Sequence, residues 1–173
     1  MSRKRYIIAS ILVIAANYAL DRITKYLAEA YLRGREPIRF LYNTVILVFA
    51  ENEGAFLSAG STWPRVVKYV VLLALPIAVC LFGSWYIMFR ESSLTKALIL
   101  ACVIGGGFGN LIDRLFNNFT VIDFLNFGIG SFRTGILNIA DLSVTFGVIA
   151  FILYEIADKK KHIGGGETGS PDR

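Results

Sequence analysis

The chain is poor in histidine, cysteine and charge, and each shortage removes a class of function. It has 173 residues and one histidine. That histidine, His162, sits in the C-terminal tail, so neither a histidine metal site nor a Ser-His relay is available. The two cysteines, Cys80 and Cys102, both fall inside apolar runs. They read as small buried hydrophobes rather than disulfide or metal partners. Charged residues make up 18% of the chain, against roughly 25% in an ordinary soluble domain. No polar linker and no internal repeat divides the sequence. One domain over residues 1–162 is expected, with the Gly-rich segment 163–173 as a disordered polar tail.

What remains is apolar: 55% of the residues are hydrophobic and they lie in long runs. This is the composition of an integral membrane protein. The net charge of +5 could suggest nucleic acid, but its placement argues otherwise. Arg3-Lys4-Arg5 precedes the first apolar run and Lys159-Lys160-Lys161 follows the last. Basic clusters at span ends are topology signals and contacts for anionic membrane lipid. A nucleic-acid partner is excluded on that ground.

A helical span needs about 20 mainly apolar residues. Four segments qualify, over about residues 6–28, 68–89, 94–112 and 137–156. The first has the basic start and apolar middle of a signal peptide. However, Asn17 and Asp21 follow and the amphipathic pattern continues without a break, which favours an uncleaved span. Pro76 should bend the second span or free a carbonyl there. The basic residues Arg3 to Arg5, Arg90, Lys96 and Lys159 to Lys161 would share the cytoplasmic side, placing both termini inside. The opposing segments carry Arg33, Arg35, Arg39 and Arg114, so the charge rule is obeyed only in the balance. Between spans, residues 38–50 are rich in β-branched and aromatic residues and predict short strands broken near Asn43. Residues 121–127 and 132–136, around Gly128 and Gly130, predict a second extended pair. The expected fold is a membrane all-α protein of four transmembrane helices. A small extracytoplasmic β-sheet with a hairpin between spans completes it.

Polar residues at the span ends carry the chemistry. Ionisable groups at the edge of hydrocarbon are costly and mark functional sites by default. Asp123 and Asp141 are two such groups. Brought together, like charges cannot both ionise readily, so one serves as acid and the other as base. Each also has a plain structural reading. Asp141 follows Asn138, a good helix N-cap, and would sit where its charge meets the positive helix end. Asp123 fits a turn in an outer loop. Gly105 and Gly109 share a helix face, and Asn110 and Arg114 share a stripe with Gly106. These glycines serve either close packing or a donor-lined cleft. Asp113 and Arg114 could form an interfacial salt bridge. Asp21, Thr24 and Lys25 lie on one helical face, where Asp21 and Lys25 read best as a snorkelling pair anchoring the helix end. Asn52-Glu53-Gly54-Ala55-Phe56 reads by itself as a turn with an available amide.

Taken in order, Asp21-x-x-Thr24-Lys25, Asn52-Glu53-Gly54-Ala55-Phe56, Gly109-Asn110-x-x-Asp113-Arg114, Val121-Ile122-Asp123-Phe124 and Asn138-Ile139-Ala140-Asp141 resemble the lipoprotein signal peptidases, or signal peptidase II family. Each piece is short, but together they run from the first span to the fourth. The sequence departs from the family in having one alanine, Ala55, where two often follow the glycine. The resemblance implies a membrane aspartyl endopeptidase with catalytic Asp123 and Asp141. It implies that Asn52, Gly54, Asn110, Arg114 and Asn138 line the substrate and inhibitor cleft. Asp21, Lys25 and Asp113 would be structural support, although spacing alone leaves Asp113 as a rival to the dyad. The implied substrate is a diacylglyceryl-modified bacterial prolipoprotein, cut just before its lipidated cysteine, with small upstream residues suiting a glycine-lined cleft. Globomycin-type peptides would be inhibitors, membrane lipid a partner, and the bacterial inner membrane the location. No metal or organic cofactor is implied. Two other readings compete. A proton-coupled transporter would place its carboxylates on a water path at the bilayer midplane. A non-enzymatic membrane scaffold would use Asp141 only as a cap.

Overall fold

A computed structural model of the chain describes residues 3–55, 59–91 and 93–164, with side chains up to residue 160. Phe56 of the Asn52 motif, the side chain of His162 and the predicted tail from residue 165 lie outside the described residues. The order is α1 (Arg3–Leu32), β1 (Ile38–Phe40), β2 (Val45–Asn52), α2 (Arg65–Tyr69), a π-helical turn (Val70–Ala74), α3 (Leu75–Phe89), α4 (Leu94–Phe116), β3 (Val121–Ile129), β4 (Phe132–Leu137) and α5 (Ile139–Gly164). Residues 163 and 164, expected in the tail, belong to the last turn of α5.

Among the described residues, four helices are long and apolar enough to cross a membrane, and α2, the π turn and α3 form the second of them continuously. Local chemistry explains their limits. α1 meets neither proline nor glycine before Gly34, whose φ of 70° takes the left-handed conformation that ends a helix. The Arg35 N–H returns to the Leu32 carbonyl there. The effect of Pro76 appears one turn early. Its ring has no N–H and crowds the carbonyl four residues back, and the helix widens into the π turn just before it. Ser93 caps α4 by accepting from the Lys96 N–H.

α4 is the hub, packed on α1 and α5. Its glycines make that possible. A Cβ on Gly105 would stand 2.8 Å from Asn17 Cβ, and one on Gly106 would stand 2.6 Å from the Ala140 carbonyl oxygen. Close packing is therefore what the glycine face does. Leu12, Leu81, Phe82 and Leu153 stand outside the bundle, where lipid contact replaces a packed core. At one end, Arg3 donates to the Met88 carbonyl and Lys96 pairs with Glu155 at 2.6 Å. Both ends of the described chain therefore share one side of the bundle.

The four strands form one antiparallel sheet in the order β1-β2-β3-β4. The predicted break near Asn43 is a turn in which Leu41, Tyr42 and Asn43 all have positive φ. Ala50 pairs with Asp123, Asn52 with Val121, and Leu125 with Leu137. This register brings the end of β2, the start of β3 and the end of β4 together above α4 and α5.

Candidate active site

Asp123 is the third residue of β3 and Asp141 lies in the first turn of α5. Three asparagine amides bind the two carboxylates, and each amide is oriented by a partner that can only donate. Asn138 closes β4 and caps α5: its Oδ1 accepts from the Asp141 N–H at 2.9 Å. Its Nδ2 is thereby turned to Asp123, at 2.7 Å. The Asn52 Oδ1 accepts from the Gly54 N–H at 2.8 Å, closing a local turn, and its Nδ2 donates to the other Asp123 oxygen at 2.9 Å. The Asn110 Oδ1 accepts from Lys25 Nζ at 2.9 Å, so its Nδ2 faces Asp141 Oδ1, at 2.7 Å. A carboxylate accepts and never donates, so all three amides present the end that matches it.

Asp141 is a helix cap as well as a member of this cluster. Its Oδ2 accepts from the Asn138 N–H at 3.2 Å, which with the Asn138 cap makes a reciprocal capping box. The structural and chemical readings of Asp141 describe one side chain. Asp123 is not a loop residue: it is 2% exposed within the sheet. Burial pushes its carboxyl up to about 7, and the neighbouring Asp141 charge pushes it the same way, against the Asn52 and Asn138 donors and the Lys25 charge. Asn110 joins the halves of the cluster, because its Oδ1 also accepts from Asn138 Nδ2 at 3.0 Å.

Below the carboxylates lies an ion network that corrects one sequence expectation. Asp21 and Lys25 do not snorkel at a helix end. They are 0% and 1% exposed, and Lys25 Nζ lies 2.8 Å from Asp21 and 2.7 Å from Asp113. Arg22, which sequence reasoning passed over, pairs with Asp113 at 2.7 Å. Nothing in the local pattern distinguished Arg22 from a lipid-headgroup contact. Asp21 Oδ1 accepts the Ala140 N–H at 3.0 Å, satisfying a free donor of the first turn of α5. The predicted Asp113–Arg114 salt bridge gives way to these pairs. Arg114 instead donates to the Gly54 carbonyl at 2.8 Å and to that of Asn110 at 3.4 Å, tying the loop after β2 to α4.

A cavity of about 720 Å³ lies between α3, α4 and α5. Asp141, Asn110 and Arg114 form its polar side, and Leu75, Val79 and Val144 are among its apolar lining. The expected glycine-lined cleft is only partly realised. Gly107 lines the cavity, whereas Gly105, Gly106 and Gly109 are filled by helix packing.

The sequence model of the family described as signal peptidase (SPase) II matches residues 13–157. The chain belongs to the signal peptidase II family. The lipoprotein signal peptidase of Borrelia duttonii is 32% identical over 160 residues, covering 90% of this chain and 94% of that one. That of Borreliella afzelii is 32% identical over 163 residues, covering 91% and 95%. A solved bacterial membrane enzyme superposes with a TM-score of 0.77 at 21% identity, covering 95% of this chain and 94% of its own, and so shares the fold. Family membership makes the chain a multi-pass membrane hydrolase of the aspartic endopeptidase type, acting in lipoprotein signal-peptide processing. The transporter and scaffold readings fall with it.

Proposed function

We propose that Asp123 and Asp141 are the catalytic dyad of a signal peptidase II that cuts a diacylglyceryl-modified prolipoprotein just before its lipidated cysteine. The observation that carries this reading is the set of oriented amides. Asn52 and Asn138 serve Asp123 while Asn110 serves Asp141, and Asn110 and Asn138 hydrogen bond to each other. Asp113, the rival, is occupied by Lys25 and Arg22 and takes a supporting role. Metal and organic cofactors have no part in the scheme.

The dyad shares one proton and holds a water. The ionised carboxylate takes a proton from the water as its oxygen attacks the scissile carbonyl carbon. The protonated carboxyl donates to the carbonyl oxygen, giving a gem-diol. That intermediate collapses with proton transfer to the departing nitrogen. The C–N bond breaks, leaving a carboxyl on the signal peptide and a free amine on the cysteine. The carboxylates titrate as a pair, so the starting proton belongs to both. The buried setting strengthens their coupling. Arg114, between Gly54 and Asn110, is placed to steady the substrate backbone, and the apolar walls of the cavity suit the lipidated segment. Globomycin-type peptides would compete for this space. The membrane is the bacterial inner membrane, both termini are cytoplasmic, and the sheet and dyad lie at the extracytoplasmic face among membrane lipids. Domain 1–162 carries all of this.

The test is cleavage of a diacylglyceryl prolipoprotein by purified wild type, Asp123→Asn, Asp141→Asn and Asp113→Asn, with folding checked in detergent. Folded but inactive Asp123→Asn and Asp141→Asn, with residual cleavage by Asp113→Asn, is the expected pattern. Wild-type cleavage by either dyad variant would reject the assignment.

A further inference from the structure

Lys25 is the most buried lysine among the described residues, and support alone does not account for where its third contact goes. Two contacts are to Asp21 and Asp113. The third is to Asn110 Oδ1, at 2.9 Å, and Asn110 is the residue that donates to Asp141. An ammonium has three donors and no acceptor. Only the oxygen end of the Asn110 amide can face it, and the NH₂ end is then fixed toward Asp141. The Asn138 Nδ2 also donates to this oxygen, at 3.0 Å, so two donors hold the oxygen end of the amide and Lys25 is the charged one. Without Lys25 the oxygen keeps only the neutral Asn138 donor, and the preference that sets the NH₂ end on Asp141 is weakened.

We propose that Lys25 is a positioning residue for the reaction, acting through the Asn110 amide to keep a hydrogen-bond donor on Asp141. This rests on the dyad reading and deepens it. The charged and titratable groups packed around Lys25 are Asp21 and Arg22 on its own helix, Asp113 on α4, and, beyond Asn110, Asp141 on α5 and Asp123 on β3. Asp21, Arg22, Lys25 and Asp113 are two cations and two anions, so the ion network is neutral by itself. The orientation of Asn110, more than net charge, is what Lys25 transmits to the dyad. Its charge also works against protonation of Asp123.

The test measures kcat and KM from pH 5 to 9 on a diacylglyceryl prolipoprotein, with thermal unfolding in detergent alongside. The variants are Lys25→Met, the pair Lys25→Met with Asp21→Asn, and Asn110→Leu. Methionine keeps the bulk and removes the donor. The double variant keeps the network neutral, and asparagine at position 21 can still accept the Ala140 N–H, so it protects against simple unfolding. A hydrogen bond to a charged group is worth enough that kcat should fall roughly ten- to a hundredfold with KM little changed. The acid limb of kcat/KM should move to higher pH, because a less firmly held donor on Asp141 favours its protonated form. Asn110→Leu, with Lys25 intact, should move the limb the same way. A folded double variant with wild-type kcat and an unshifted acid limb would overturn the proposal and leave Lys25 a purely structural residue. A shifted limb in the lysine variants but not in Asn110→Leu would overturn the route through Asn110. Neither outcome touches the dyad itself, which stands or falls with Asp123→Asn and Asp141→Asn.

Discussion

The raised Asp123 carboxyl makes stability depend on pH in a direction opposite to that of most native aspartates. In the unfolded chain an aspartate titrates near 4, and in the folded protein this one titrates at about 7. Between those values the folded state holds a proton that the unfolded state has released. Stability from this site is therefore full below about pH 4 and is lost as pH rises through 7. A shift of about three units corresponds to about 4 kcal/mol. Asp123→Asn has no proton to lose and removes this slope. The substitution carries its own constant cost. Asn52 and Asn138 each donate to one Asp123 oxygen, and an asparagine replaces one of those oxygens with an NH₂ group. Setting a donor against a donor in a buried site costs roughly 1–3 kcal/mol at every pH. Thermal unfolding of the two proteins in one detergent, from pH 5 to 8.5, reads the difference. The variant should gain about 3 kcal/mol on the wild type between pH 5 and pH 7.5, hold that gain above it, and be the more stable protein by roughly 1–3 kcal/mol at pH 8.5. Other groups titrate in both proteins and largely cancel in the difference. A gap that stays constant across the range would mean that Asp123 ionises like an ordinary aspartate, and the buried-acid account of the site would be wrong.

Two further substitutions separate the roles that share residues here. Asn138→Ser keeps a side-chain oxygen able to cap α5 but removes the buried amide that donates to Asp123, Asn110 and the Ile122 carbonyl; stability should fall by about 1–3 kcal/mol from the unsatisfied acceptors, while kcat/KM falls roughly ten- to a hundredfold. Cleavage at the wild-type rate would show that the amide is needed only for the cap. Gly109→Ala places a Cβ 2.5 Å from Asp21 Oδ2, so Asp21 or α1 must shift. Overpacking of this kind costs about 1–3 kcal/mol; an unchanged melting temperature would mean that α1 and α4 are not held as closely as this contact requires.

The sequence by itself determined the parts of this protein that local chemistry decides. Runs of apolar residues long enough for a bilayer became the helices, because length and hydropathy are properties of a single segment. The β-branched segments on either side of Asn43 became β1 and β2, and the Asn138–Asp141 spacing became a capping box. The motif order also pointed to Asp123 and Asp141. What only the tertiary structure decided was which polar groups lost their water. Asp21 and Lys25 carry the same spacing as any surface ion pair on a helix, and their burial depends on Gly109 admitting α1 to α4 and on Asp113 and Asn110 arriving from that helix. The glycines could have lined a cleft or closed an interface, and the neighbouring helices chose the interface for all but Gly107. The direction of each amide was likewise open, since asparagine offers a donor and an acceptor of nearly equal shape. Lys25, the Gly54 N–H and the Asp141 N–H settled it. Those donors reach the amides through a folded loop, a helix start and a neighbouring helix, and only in the assembled fold do all three stand in place at once.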